Sequence, residues 1–304
     1  MDLIKAYTDY LLHEQRRSAN TVEAYGRDLS QWREHVVGPG REDEFDPKSV
    51  TTLDLRHYIA ALMKEGNSAT SVRRKVSTLR GFFKFLERNH GLTGNPATTL
   101  TMPKMPKRLP VIIRQEETEG LLDAEVAADD YDGVLMRVMV DIFYNTGIRC
   151  SELVGLKDRD ADTARGRLKV LGKRDKERIV PFGRELADTI DSYRRLRDSD
   201  GARRTADPEA PLLMRADGRP LNRRLVYARL HKYLAEAGVH ASRLSPHTLR
   251  HSMASDVLNA GASLPTVQQL LGHASLTSTQ IYTHLSYKDL LKNYQQAHPR
   301  ANKV

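Results

Sequence analysis

Toward the end of the chain stand side chains suited to chemistry at a phosphodiester. The run His247-Thr248-Leu249-Arg250 offers an imidazole that can take a proton and a guanidinium that can grip a phosphate. His273 follows in Leu270-Leu271-Gly272-His273, and Tyr282 lies in Gln280-Ile281-Tyr282-Thr283-His284. A phenol is a nucleophile once a base accepts its proton, because its free pKa is near 10. Upstream come Arg149, in Thr146-Gly147-Ile148-Arg149-Cys150-Ser151-Glu152-Leu153, and Lys173, in Gly172-Lys173-Arg174-Asp175-Lys176-Glu177-Arg178. Taken singly, each has a plainer explanation. Tyr282 alone reads as a buried ring, His273 as a capping or core histidine, Lys173 as a solvated hairpin tip. Arg149 beside Glu152 reads as a surface pair at a helix start. The ordered set points to breaking and rejoining a phosphate ester. His247 and His251 are four apart, a zinc-binding spacing, but no Glu follows the first His and there is no cysteine pair. No metal and no other cofactor is expected.

The charge supports a polyanionic partner. The chain of 304 residues carries a net charge of +9. From Ser68 to Arg108 lie Arg73, Arg74, Lys75, Arg80, Lys84, Arg88, Lys104, Lys107 and Arg108 against the single acid Glu87, so that window is +8 and the remainder +1. A solvated helix face is the plain reading of such a run. Its concentration favours a nucleic-acid footprint, and all of these except Arg88 are taken as candidate DNA contacts. Cys150 is the one cysteine, which rules out an internal disulfide. No stretch approaches the roughly 20 apolar residues of a membrane span, and a cytoplasmic protein is expected.

These side chains must be held by elements, and apolar spacing predicts mostly helices. Leu3, Ile4, Tyr7, Tyr10 and Leu11 mark one face; Val22, Tyr25, Leu29 and Trp32 a second; Leu53, Tyr58, Ile59 and Leu62 a third. A fourth helix, about Ala69 to Arg88, turns Val72, Val76, Leu79, Phe83 and Leu86 inward. Residues 1–97 form this four-helix unit. Pro96, Pro103, Pro106 and Pro110 punctuate its end and the residues after it, so 98–110 reads as a basic linker. Residues 111–286 read as a second, mostly helical unit. Its pattern begins at Glu119, continues in a long apolar helix broken at Asn145-Thr146-Gly147, and resumes from Glu185 to Arg197. Arg167–Leu171 and Arg178–Pro181 form the one convincing hairpin, with Lys173 in its turn. Asp198 to Glu209 reads as a mobile loop. Further helices are expected over about 222–237, 246–259, 264–271 and 277–282. The tail, 287–304, bears an apolar stripe of Leu290, Leu291 and Tyr294.

With these residues in place, the chain resembles the tyrosine recombinases of the phage integrase family, most of all the bacterial Xer recombinases. Ser18-Ala19-Asn20-Thr21-Val22-Glu23-Ala24-Tyr25 is similar to the family's N-terminal signature, Asn145–Arg149 to its first arginine box, and Gly172-Lys173 with Lys176–Pro181 to its lysine hairpin. His247–Ser252, Gln268–His273 and Gln280–His284 complete the second box and the nucleophile segment, and Gln295–Arg300 resembles Xer C-termini. The resemblance implies a mainly α fold: an N-terminal four-helix SAM-like core-binding domain, then a mostly helical catalytic domain with a small antiparallel β-sheet. It implies Tyr282 as nucleophile, with Arg149, Lys173, His247, Arg250 and His273 as its catalytic partners and Glu152 in support. It implies double-stranded DNA with a specific recombination site, a homo- or hetero-tetramer on two duplexes, a Holliday junction, an activating partner protein, and a tail docking on a neighbouring subunit. Arg174 departs from the glycine often found after the lysine. The charged loop at 198–209 leaves room for an integrase or invertase of a mobile element. Two readings of another class compete: a silent architectural DNA-binding protein, and a metal-dependent nuclease.

Overall fold

Side-chain oxygens cap the starts of the helices in the N-terminal part of the chain, the Asp2 carboxylate for the first of them and hydroxyls for the others. The Ser18 and Ser68 side chains accept from the backbone N–H groups of Thr21 and Ser71 at 3.3 and 3.2 Å, opening α2 (Ala19–Val37) and α4 (Ala69–Asn89). Thr51 and Asp54 form a reciprocal capping box at the start of α3 (Thr52–Lys64). With α1 (Leu3–His13) these make the four-helix unit. The computed structural model describes residues 2–105, 111–127, 129–172, 176–201, 203–239, 244–272 and 294–300. The chain divides into two compact units, Met1–Arg108 and Leu109–Val304.

The first unit closes on aromatic rings. Trp32, Phe82 and Phe83 are fully buried, with Trp32 edge-on to Phe83 at 5.5 Å between centroids. Two features depart from the sequence reading. Residues at the start of the expected linker dock on α4: Leu100 joins the core, as Ala97 just before the linker does, Arg80 donates to the Leu100 carbonyl at 2.6 Å, and Arg73 donates to the Pro103 carbonyl at 3.0 Å. And Lys75 points inward. It is 5% exposed, its Nζ lies 3.2 Å from Asp28, and Asp28 also pairs with Arg74 and accepts from Thr78.

The second unit is built around α6 (Tyr131–Thr146), buried on nearly every side and covered by α8 (Arg184–Asp198) and α10 (Pro246–Asn259). Before it lies α5 (Gln115–Asp123), starting earlier than the apolar pattern suggested because the Glu117 carboxylate accepts from the Arg114 N–H at 3.1 Å. Gly147 ends α6 at φ +58°, and a Cβ there would stand 2.4 Å from the Met253 side chain. That turn leads straight into α7 (Cys150–Leu153), with Arg149 at its N-cap. The sheet has three strands, β1 (Ala161–Asp162), β2 (Arg167–Leu171) and β3 (Glu177–Pro181), in order β1-β2-β3 and antiparallel throughout. The hairpin is present, with Lys169 opposite Ile179 and Leu171 opposite Glu177. β1 is too short to show an alternating pattern. After α8 come α9 (Arg223–Glu236), α10, and α11 (Leu264–Leu271). The expected helix at 277–282 lies outside the described residues.

Side chains in and beside the charged stretch at 198–209 have partners elsewhere in the second unit. Arg197 pairs with Asp158 and Asp198, Lys157 with Glu209 at 2.6 Å, and the Arg203 guanidinium lies 4.0 Å over the Tyr131 ring. The described part of the tail packs in cis on its own unit. Tyr294 is buried with its hydroxyl donating to the Asn145 carbonyl at 3.3 Å, and Arg300 bridges Glu185 and Asp123. Leu290 and Leu291 lie outside the described residues. The His298 ring is oriented by two partners: Nε2 donates to the Tyr144 carbonyl at 3.3 Å, and Nδ1 accepts from the Arg300 N–H at 3.2 Å. Burial pushes its pKa down to about 4.

Two measurements test this packing. Asp28→Ala leaves the buried Lys75 ammonium without its carboxylate and should destabilise the chain by about 3–5 kcal/mol, as measured by denaturant unfolding. His298 binds its proton more readily unfolded, at an ordinary pKa of 6.5, than folded, at about 4. Stability is therefore lost as pH falls from 6.5 toward 4, by roughly 3 kcal/mol for this group. His298→Gln should flatten that part of the stability–pH curve; an unchanged curve would show that the ring is not buried as described.

Candidate active site

Three arginines of the second unit converge on the C-terminal end of α11. The helix ends on Gly272 at φ +62°, leaving its last carbonyls pointing outward with the partial negative charge of a helix terminus. Guanidiniums from three separate elements meet them. Arg250 Nη2 donates to the Leu271 carbonyl at 2.7 Å, Arg149 Nη2 to the Gly272 carbonyl at 3.2 Å, and Arg178 Nε to the Leu270 carbonyl at 3.4 Å. Arg250 also donates to the Gly147 carbonyl, so the turn that delivers Arg149 is bonded to the second arginine.

Glu152 binds two of these arginines. Its carboxylate accepts from the Arg149 N–H at 2.8 Å and from Arg149 Nη1 at 2.9 Å. It also forms a two-pronged pair with Arg178, both bonds 2.9 Å. Burial pushes the Glu152 carboxyl up, but the bonds and charges of Arg178 and Arg149 outweigh it and hold it below the usual carboxylate range. Arg250 is 5% exposed, and burial together with the Arg149 charge pushes its guanidinium down to about 10. Three guanidiniums against one carboxylate leave the cluster short of negative charge, which an incoming phosphate would supply. A guanidinium has five N–H donors, and the partners among the described residues take two on Arg149 and two on Arg250.

His247 lies on the first turn of α10, exposed, three residues before Arg250 and so on the adjoining face. His251 is also exposed; among the described residues no group of three His, Cys, Asp or Glu side chains could hold a metal. Thus Arg149, Glu152 and Arg250 are brought together with His247 close by in sequence. Lys173, His273 and Tyr282 lie outside the described residues, though Gly172 and Lys176 close the base of the lysine turn with a 2.8 Å backbone bond and Gly272 immediately precedes His273. Arg178, the last residue of the hairpin motif, gains a role only from the structure. A signal for it exists in the strand: on β3 it shares the inward face with Val180, where an arginine needs an acid, and Glu152 is buried.

On the first unit the basic residues differ in what they do. Lys84, Arg88 and Lys104 are exposed. Arg73 and Arg80 bond carbonyls of the residues following α4, Arg74 pairs with the buried Asp28, and Lys75 is itself buried. Lys107 and Arg108 lie outside the described residues. Among the described residues no helix is long and apolar enough to cross a membrane.

The chain matches the phage integrase family over residues 112–289 and the phage integrase N-terminal SAM-like domain over residues 4–90. It is 39% identical over 299 residues to tyrosine recombinase XerD of Proteus mirabilis, covering 98% of this chain and 93% of that relative. It is also 39% identical over 303 residues to tyrosine recombinase XerC of Listeria innocua, covering 98% of each. In fold it resembles the Tn1549 transposon integrase in complex with transposon right-end DNA, with a TM-score of 0.74 at 18% identity over 97% of this chain and 99% of that one.

Proposed function

The chain belongs to the phage integrase family and is a tyrosine site-specific recombinase, and from that premise we propose how its residues break and rejoin DNA. The Tyr282 hydroxyl attacks the scissile phosphorus, the bond to the 5′-oxygen breaks, and the strand is left as a 3′-phosphotyrosyl ester. His247 accepts the phenolic proton as the new bond forms. Arg149 and Arg250 donate to the non-bridging oxygens, where charge builds up. Lys173 protonates the departing 5′-oxygen, and His273 supports the phosphate or a neighbouring side chain. Rejoining runs the same steps backward with the partner strand's 5′-hydroxyl as nucleophile. The ester retains the energy of the broken bond, so neither metal nor nucleotide has a step to perform.

The observation that carries this reading is the arginine cluster at the end of α11. Two of the arginines expected to bind phosphate stand on carbonyls of one helix terminus, one of them with its guanidinium pKa lowered by burial and by the other's charge. An anion bridging them relieves that repulsion.

The substrate is double-stranded DNA with a specific recombination site, exchanged by a tetramer on two duplexes through a Holliday junction. Likeness to XerC and XerD favours resolution of chromosome or plasmid dimers. Docking of the tail on a neighbouring subunit requires residues 294–300 to leave their cis site. In the first unit, exposed Lys84 and Lys104 are assigned to phosphates, while Lys75 is assigned to the core with Asp28.

A duplex nicked close to the scissile phosphate should trap a covalent adduct with the intact chain, mapping to Tyr282, and none with Tyr282→Phe. Chelator should leave adduct formation unchanged; an adduct mapping elsewhere, or sensitivity to chelator, sinks the assignment. In salt titrations of DNA binding, Lys84→Gln should reduce the slope of log K against log salt by about 1, as expected for one lost phosphate contact. Lys75→Met should leave that slope unchanged.

A further inference from the structure

We propose that Arg178 is a positioning residue for the cleavage step, acting through Glu152 on Arg149; this rests on the reading of the arginine cluster as the phosphate site. A buried carboxylate must have its lone pairs filled, and the strongest way is a two-pronged pair with one guanidinium. Both prongs come here from Arg178, at 2.9 Å each, so β3 fixes the plane of the Glu152 carboxylate together with the Arg149 backbone N–H at 2.8 Å. Arg149 then makes a single side-chain bond to Glu152, through Nη1, while its Nη2 is turned to the Gly272 carbonyl. Remove Arg178, and Arg149 is the remaining partner described for that carboxylate. It would swing into the two-pronged geometry itself and leave the place from which it reaches a phosphate.

A second contact strengthens the assignment. A Cβ at Gly272 would stand 2.9 Å from the Arg178 guanidinium carbon, so the backbone just before His273 rests on the Arg178 side chain. Arg178 is also paired in register with Val170 on the hairpin that carries Lys173. One side chain therefore joins the strand of the lysine hairpin, the acid that orients Arg149, and the end of α11. Lysine cannot replace it, since an ammonium lacks the planar fork.

The test measures adduct formation by the full-length chain on the nicked duplex, at protein concentrations that saturate the DNA. Arg178→Gln should slow the step by roughly 100-fold, the scale of a misplaced catalytic group, with DNA affinity unchanged. Arg178→Lys should recover little of the loss. In an Arg149→Lys background, Arg178→Gln should cost far less than it does alone, because both changes act on one interaction. Should Arg178→Gln fail to fold, Glu152→Gln cuts the same link while keeping the side-chain shape, and its defect should likewise shrink in the Arg149→Lys background. A defect that multiplies fully with Arg149→Lys, full rescue by lysine, or a wild-type rate overturns the proposal. An adduct persisting in Tyr282→Phe would instead overturn the underlying site, whatever Arg178 does.

Discussion

Like charges held close together are the constraint on which this site depends. Guanidiniums packed side by side in a partly buried site repel one another, and the Arg149 charge acts on the buried Arg250 guanidinium here. The chain holds such a cluster through one buried carboxylate and through backbone carbonyls at the end of α11. Carbonyls are suited to this role. They accept hydrogen bonds and carry the partial charge of a helix end, yet they do not neutralise the arginines as carboxylates would. A site lined by more acids would be better balanced when empty and worse at binding a phosphate.

The remaining architecture brings separate parts of the chain to that one helix end. α6 is a buried axle, and its αL glycine reverses the chain so that Arg149 caps α7. Arg250 reaches back from α10 to the Gly147 carbonyl, locking the turn to the second arginine. β3 brings in Arg178 from a third direction. Each arginine is fixed by backbone from another element, so no single helix can shift without disturbing the others.

Much of this was legible in the sequence because it follows local rules. The four N-terminal helices, the long apolar helix stopping at Gly147, the hairpin and the bounds of α10 and α11 all follow from periodicity and from capping residues. So did the pairing of Arg149 with Glu152, three residues apart at a helix start. What escaped depends on partners distant in the chain. Lys75 looks like one more cation on a basic helix until Asp28, on another helix, is placed beside it. Arg178 is one arginine in a charged string until Glu152 arrives 26 positions away. The stretch after α8 looks loose by composition, but Arg203 lies over the Tyr131 ring and Glu209 pairs with Lys157. Charge count is a property of sequence; which charges face each other is a property of topology.

The same distinction bears on the tail. An apolar stripe near a chain end can be covered by any surface that fits it, and in this single chain Tyr294 finds the end of α6. The polar residues beside it are matched just as closely: the two nitrogens of His298 are oriented by one acceptor and one donor, and Arg300 by two acids. Apolar burial without direction would let the tail leave easily, whereas this set of oriented bonds must break together. Exchange of the tail between subunits is therefore favourable only if a neighbour offers an equivalent set. A second copy of the chain would offer that set, since it carries the surface on which the tail packs here.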